Sequence, residues 1–312
     1  MQDNEPGRVD ESNLRGLALS RWDNEGGAGP DGPQERQPAI SNVDLVPKHS
    51  QSFFAISSFF FLTFAWSWLL GFSAIYAKPY APDLSLFLSI ISGFGPSIAA
   101  FVTIALFGGQ KELRAWLANA LIWRVGWQWY ALAFAVPPLV MLLALAVHAG
   151  SGGNVPASPV IGHFPLAIAS FGLVFLIGGP LGEEFGWRSY AAPALGGKMG
   201  WRAASLVIGV IWGLWHVPLF LMAGTAQFQM SLAMFMLNIL AGSVLFSWLF
   251  LQSKGSVIPA LVAHTSLNAW AGPLSIIPTP DTSRPYAVVT GILVILAVWL
   301  LTRPDLSINK QL

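Results

Sequence analysis

The chain has 312 residues, 54% of them hydrophobic and only 10% charged, with 14 Trp and a mean hydropathy of +0.59. Soluble domains average about 25% charged residues, so the composition excludes an ordinary soluble protein and specifies a membrane protein. A net charge of +1 lends no support to nucleic-acid binding, and the absence of cysteine excludes disulfides, thiolate chemistry and Cys-based zinc sites.

Residues 1–50 hold nine acidic and five basic residues, many Gly, Pro, Asn and Gln, and no apolar periodicity. They read as a disordered cytoplasmic tail. The first apolar run begins near Phe53, too far along the chain for a cleavable signal peptide. Residues 51–306 read as an all-α, polytopic membrane helix bundle. A hydrocarbon core takes about 20 apolar residues per helix, and eight runs qualify. The first four are 53–76, 84–107, 128–149 and 161–181; the next four are 202–223, 230–252, 256–276 and 286–302. Gly, Pro and polar residues interrupt the fourth and the seventh.

An even number of spans puts both termini on one side. The connections on that side carry Lys111, Arg114, Arg124, Lys198, Arg202 and Lys254, against Lys78 and Arg284 on the other. The positive-inside rule then makes both termini cytoplasmic, in a cell (plasma) membrane protein.

One stretch breaks the pattern: Gly178-Gly179-Pro180-Leu181-Gly182-Glu183-Glu184-Phe185-Gly186-Trp187-Arg188. A charge at the centre of a membrane helix costs roughly 2.5–3.5 kcal/mol on insertion scales, so three ionisable groups in six residues point to a site. Pro180 and its flanking glycines are expected to bend the fourth span. A helix continuing through Phe185 to a stop at Gly196-Gly197 puts Glu183 about 20 Å from its end, counted at about 1.5 Å per residue. By the same count His216 lies about 20 Å into the fifth span and Asn268 about 18 Å into the seventh, with His264 one turn shallower. Polar side chains on three helices thus converge on one depth, as an intramembrane polar cavity requires.

Glu184 and Arg188 are four apart and read as a structural pair on one helix face. Glu183 points about 100° away and is left to face the cavity. His264 and Asn268 present two hydrogen-bonding groups on one face, and Asn238 reads as a helix–helix contact. His49, His148 and His163 fall outside the spans or near their ends and receive no role. Two Glu, two His and an Asn suit amide hydrolysis by water that a carboxylate and an imidazole activate, with donors for an oxyanion. A divalent metal such as zinc, with Glu183, His216 and His264 as candidate ligands, would serve the same end, and the residues leave both routes open. The alternative is a non-enzymatic scaffold or small transporter using the cluster as a proton relay, although no pair of broken helices recurs in matching halves.

Glu183-Glu184-x-x-x-Arg188, Trp212-x-x-x-His216 and His264-x-x-x-Asn268, in that order on three hydrophobic segments, resemble the motifs of the CPBP intramembrane proteases. That family takes in the type 2 CAAX prenyl endopeptidases and the bacterial Abi proteins. The likeness covers residues 165–272, and the family commonly has Phe where this chain has Trp212, read here as a packing neighbour. The resemblance implies an all-helical bundle with a cavity open to one side. It also implies an endopeptidase acting on a peptide or protein substrate, lipid-modified in the prenyl-processing branch. In roles, Glu183 and His216 would activate water, His264 and Asn268 would hold the oxyanion, and Glu184 and Arg188 would support the first glutamate.

Overall fold

The structure is a computed structural model that describes residues 45–155 and 164–303, so most of the expected tail and His163 lie outside the described residues. The tail's last residues are packed rather than loose. Val46 and Ser50 are buried, and the Tyr190 hydroxyl donates to Ser50 O at 2.8 Å.

The described chain is helical in every segment that composition marked as apolar. Helix α1 (Phe53–Ala77) starts where the Ser52 side chain accepts from Ala55 N–H at 3.1 Å, an N-cap. Helices α2 (Pro82–Ser92) and α3 (Gly95–Ala120) form a bent pair, turned by 48° at Gly93–Phe94. Carbonyls freed at such a break need partners away from water, and α1 supplies them. Trp66 Nε1 donates to Ile91 O at 3.0 Å and the Ser67 hydroxyl to Ser92 O at 2.7 Å.

Helix α4 (Trp127–Gly150) runs through Pro137 and Pro138. Pro138 has no N–H for the carbonyl four residues back, and the Ser266 hydroxyl fills that vacancy by donating to Phe134 O at 2.8 Å. Next come α5 (Phe164–Ile177) and α6 (Pro180–Glu184), then a π-helical turn over Phe185–Ala191. Helix α7 (Ala192–Trp215) follows, with a break at Gly200, where φ is +79°. A short α8 (Val217–Phe220) leads to α9 (Leu232–Gln252), α10 (Ile258–Ala271) and α11 (Arg284–Thr302). One apolar core joins α1, α3, the π-turn, α7 and α9, and a second joins α4, α9 and α11. Long apolar side chains such as Phe61, Leu69, Leu166 and Ile168 stay exposed, as lipid-facing residues do.

The molecule is therefore a helical membrane bundle, but not a set of eight full spans. Among the described residues, five helical runs are long and apolar enough to cross a membrane, or six if the bent pair counts as one span. The fourth and fifth expected spans both overlap a single broken run, Pro165–Trp215. The seventh shrinks to the 14 residues of α10, about 21 Å at about 1.5 Å per residue and short of a hydrocarbon core of about 30 Å. The expected stop at Gly196-Gly197 also moves, to Gly200.

The connections between helices contact one another in two sets. His49 contacts Glu112, Val257 N–H donates to Ala120 O, and Arg202 donates to Leu301 O and Arg303 O. Each contact joins connections assigned to the cytoplasmic side. Lys78 Nζ donates to Ala223 O, and Arg284 donates to the Ser151 hydroxyl, joining connections of the opposite side.

Candidate active site

The glutamates sit where the chain changes direction. Helix α5 ends before Gly178-Gly179; Gly179 has φ +109°, a conformation that disfavours a side chain, and Pro180 opens α6. Two residues on, Gly182 lies against the α2–α3 break: a Cβ there would come 2.4 Å from Gly93 O. A Cβ on Gly186 would come 2.4 Å from Pro96 O. Gly182 and Gly186, four apart, are thus a small-residue strip that lets this segment dock backbone to backbone on α3. Ser97 adds a hydroxyl donated to Leu181 O at 3.0 Å. The π-turn closes with Ala192 N–H donating to Trp187 O, five residues back. It holds Trp187, Arg188 and Tyr190 buried, with Phe59 of α1 against Trp187 and Tyr190.

Glu184, Arg188 and His264 form one buried group. His264 Nδ1 donates to Glu184 Oε1 at 2.7 Å, and Arg188 Nε stands 3.3 Å from Glu184 Oε2. The guanidinium carbon lies 4.3 Å from the centroid of the Trp212 ring and 5.3 Å from that of Phe246, two cation–π contacts that cover the charge. Glu183 belongs to a separate contact: Trp212 Nε1 donates to its Oε2 at 2.5 Å. His216 Nδ1 donates to Trp212 O at 2.8 Å, its ring boxed by Trp215 and Phe235. A carbonyl only accepts, so in the neutral ring Nε2 of His216 keeps its lone pair. Asn268 Nδ2 donates to Gly178 O at 3.3 Å.

Glu183, His216, His264 and Asn268 all line one cavity of ≈ 400 Å³, within the usual range for ligand sites. Its wall continues over Ser67 and Gly71 of α1, Gly93, Gly178-Gly179, Asn238 of α9 and Tyr286 of α11. The two broken regions, at Gly93 and at Gly178-Gly179, therefore meet at this cavity, where irregular backbone is tolerated in a membrane protein.

The six motif residues expected from the sequence come together, though in two groups. Glu184 and Arg188 pair as expected, and Asn238 donates to Thr290 Oγ1 at 3.1 Å across α9 and α11. Trp212 is a correction: it is a hydrogen-bond partner of Glu183 and not only packing. The signal was present, since Trp212 stands one turn before His216 and carries the N–H that Phe lacks. Phe246, the second ring over Arg188, has no signal in the sequence. Among the described residues, no three His, Asp or Glu side chains are placed to hold a metal ion. Glu183, His216 and His264 share the cavity without forming such a group.

Fold and site together define a polytopic helical membrane protein with a polar cavity built at helix breaks. Residues 165–270 match the family described as type II CAAX prenyl endopeptidase Rce1-like. A relative from Methanococcus maripaludis, described as CAAX prenyl protease 2, is 26% identical over 250 residues, covering 77% of this chain and 90% of the relative. Both findings agree with the three motifs, and the chain is similar to the CPBP and CAAX-protease family over that region.

Proposed function

We propose that this chain is a membrane-embedded endopeptidase that hydrolyses peptide bonds of protein substrates, CAAX-type prenylated chains among them, in the cell membrane with both termini cytoplasmic. The observation that carries the reading is the meeting of Glu183, His216, His264 and Asn268 on the wall of one cavity. The family match and the named relative support the substrate class.

In this mechanism water is activated by Glu183 with His216, whose Nε2 lone pair accepts a hydrogen bond from it. Glu183 takes the proton as the water oxygen bonds to the scissile carbonyl carbon, and the carbonyl oxygen becomes an oxyanion. His264 and Asn268 donate to that oxyanion, and the proton held by Glu183 passes to the leaving amine as the C–N bond breaks. With Nδ1 committed to Glu184, His264 donates from Nε2 as well only as an imidazolium. Glu184 is placed to balance that charge. The four groups Glu183, Glu184, Arg188 and His264 then sum to zero, which suits a buried site. No step is routed through a metal, because the candidate ligands do not assemble a ligand set.

The test is cleavage of fluorogenic prenylated peptides, and of their unprenylated counterparts, by purified protein. Parent protein is expected to cleave and Glu183→Gln to stay folded with turnover lost. Activity in Glu183→Gln equal to the parent would remove Glu183 as the base. Turnover abolished by a chelator and restored by zinc would overturn the metal-free route.

A further inference from the structure

We propose that Trp212 is the positioning residue for Glu183, fixing through its indole N–H which oxygen of the carboxylate faces the reacting water. The inference rests on the assignment of Glu183 as the base.

The two oxygens of Glu183 are held by different things. Oε2 accepts from Trp212 Nε1 at 2.5 Å, in a residue only 4% exposed. Oε1 lies over Gly179, where any Cβ would come 2.4 Å from it. The carboxylate is therefore held at Oε2 by the indole donor, while Oε1 lies beside Gly179, whose φ of +109° favours glycine. The lone pairs of Oε1 are the ones left for water.

The indole is in turn held on all sides. Its face lies over Arg188, its ring meets that of His264 at 5.5 Å and 79°, and its own carbonyl accepts from His216. One residue thus touches the base, the second histidine, the pairing arginine and the oxyanion histidine. A Phe in its place keeps an aromatic ring beside Arg188 and His264 and loses the N–H donor together with the second ring of the indole. Without that donor the Glu183 side chain regains rotamers about its long stem, and misplacement of a reacting group by about 1 Å can cost on the order of 100-fold in rate.

Trp212→Phe removes the donor and keeps most of the aromatic packing. The expected result is a kcat lower by on the order of 10- to 100-fold, with KM changed less than about two-fold and a cooperative melt retained. A purely structural role would instead move KM and the melt together. A second readout needs no activity. The chain has 14 Trp, and in detergent the indole 15N–1H resonance absent from Trp212→Phe identifies Trp212; Trp212→Tyr serves if the Phe variant does not accumulate. That resonance is expected to move in Glu183→Gln while those of distant Trp residues stay in place. Parental kcat in Trp212→Phe, or an unmoved Trp212 indole in Glu183→Gln, would overturn the proposal. If parent protein cleaves no peptide, the assignment of Glu183 as base fails, and the indole measurement still decides whether the contact exists.

Discussion

The two adjacent glutamates illustrate how much one step along a helix decides. Glu184 is fully buried between Arg188 and His264, whereas Glu183 turns to the cavity and Trp212. Glu184→Gln removes the counter-charge and leaves Arg188 buried among rings, with its terminal nitrogens making no hydrogen bond among the described residues. Breaking a buried pair costs about 3–5 kcal/mol, so Glu184→Gln is expected to lower the thermal midpoint in detergent strongly. Glu183→Gln, which keeps an amide oxygen for the Trp212 N–H, is expected to melt close to the parent. Equal midpoints for the two variants would contradict the division. This division was legible before the structure, because Glu184 and Arg188 are four apart and Glu183 is not aligned with either. The role of Trp212 was half legible: its spacing from His216 and its N–H stand in the sequence, but nothing there tells an indole packed on a carboxylate from one hydrogen-bonded to it.

Among the elements, the segment from Pro180 to Ala191 depends on what it lacks. Gly182 and Gly186 let its backbone touch Gly93 and Pro96, and no side chain fits between. Gly186→Ala is expected to destabilise the protein by about 1–3 kcal/mol through overpacking, because the obstructing atoms are backbone and cannot swing away. Gly291 on α11 is the control: nothing lies within 4 Å of its added Cβ, and Gly→Ala in an open helix site is worth up to about 1 kcal/mol in the opposite direction. Melts of the two variants decide the point, and a neutral Gly186→Ala would show that the contact yields. Sequence reading placed the bend at Pro180 but took Gly196-Gly197 as the next stop. Only the φ of +79° at Gly200 identifies the residue that turns, and a run of three nearby glycines does not say which one will. The π-turn was equally hidden, since its extra residue per turn leaves no trace in an apolar pattern.

For the whole molecule, the asymmetry of Lys and Arg speaks to orientation and the count of spans to architecture. Contacts such as His49 to Glu112 and Arg284 to Ser151 join connections that the alternation of the expected spans groups on one side. Span counting reached eight where five or six described helical runs are long and apolar enough to cross, because hydropathy registers apolar length and is blind to where a helix breaks or stops short. The orientation itself is open to a direct test, made simple by the absence of native cysteine. Lys198→Cys is exposed and is expected to react with an impermeant maleimide only after the inner face of the membrane is opened. Labelling from outside intact cells would reverse the topology.

The buried group at Glu184 also sets a timetable for synthesis. Its partner Arg188 is four residues away, but its partner His264 is 80 residues further along the chain. Translation at about 5–20 residues per second leaves roughly 4–16 s between the two. Glu183 waits for Trp212, 29 residues on, through roughly 1.5–6 s of the same interval. During that time the carboxylates are in or near the bilayer with only a local arginine to neutralise them, and the helices that enclose them do not yet exist. The nascent chain is therefore most exposed to membrane quality control while its future site is half assembled. The nearby arginine gives Glu184 a counter-charge to travel with until α10 arrives.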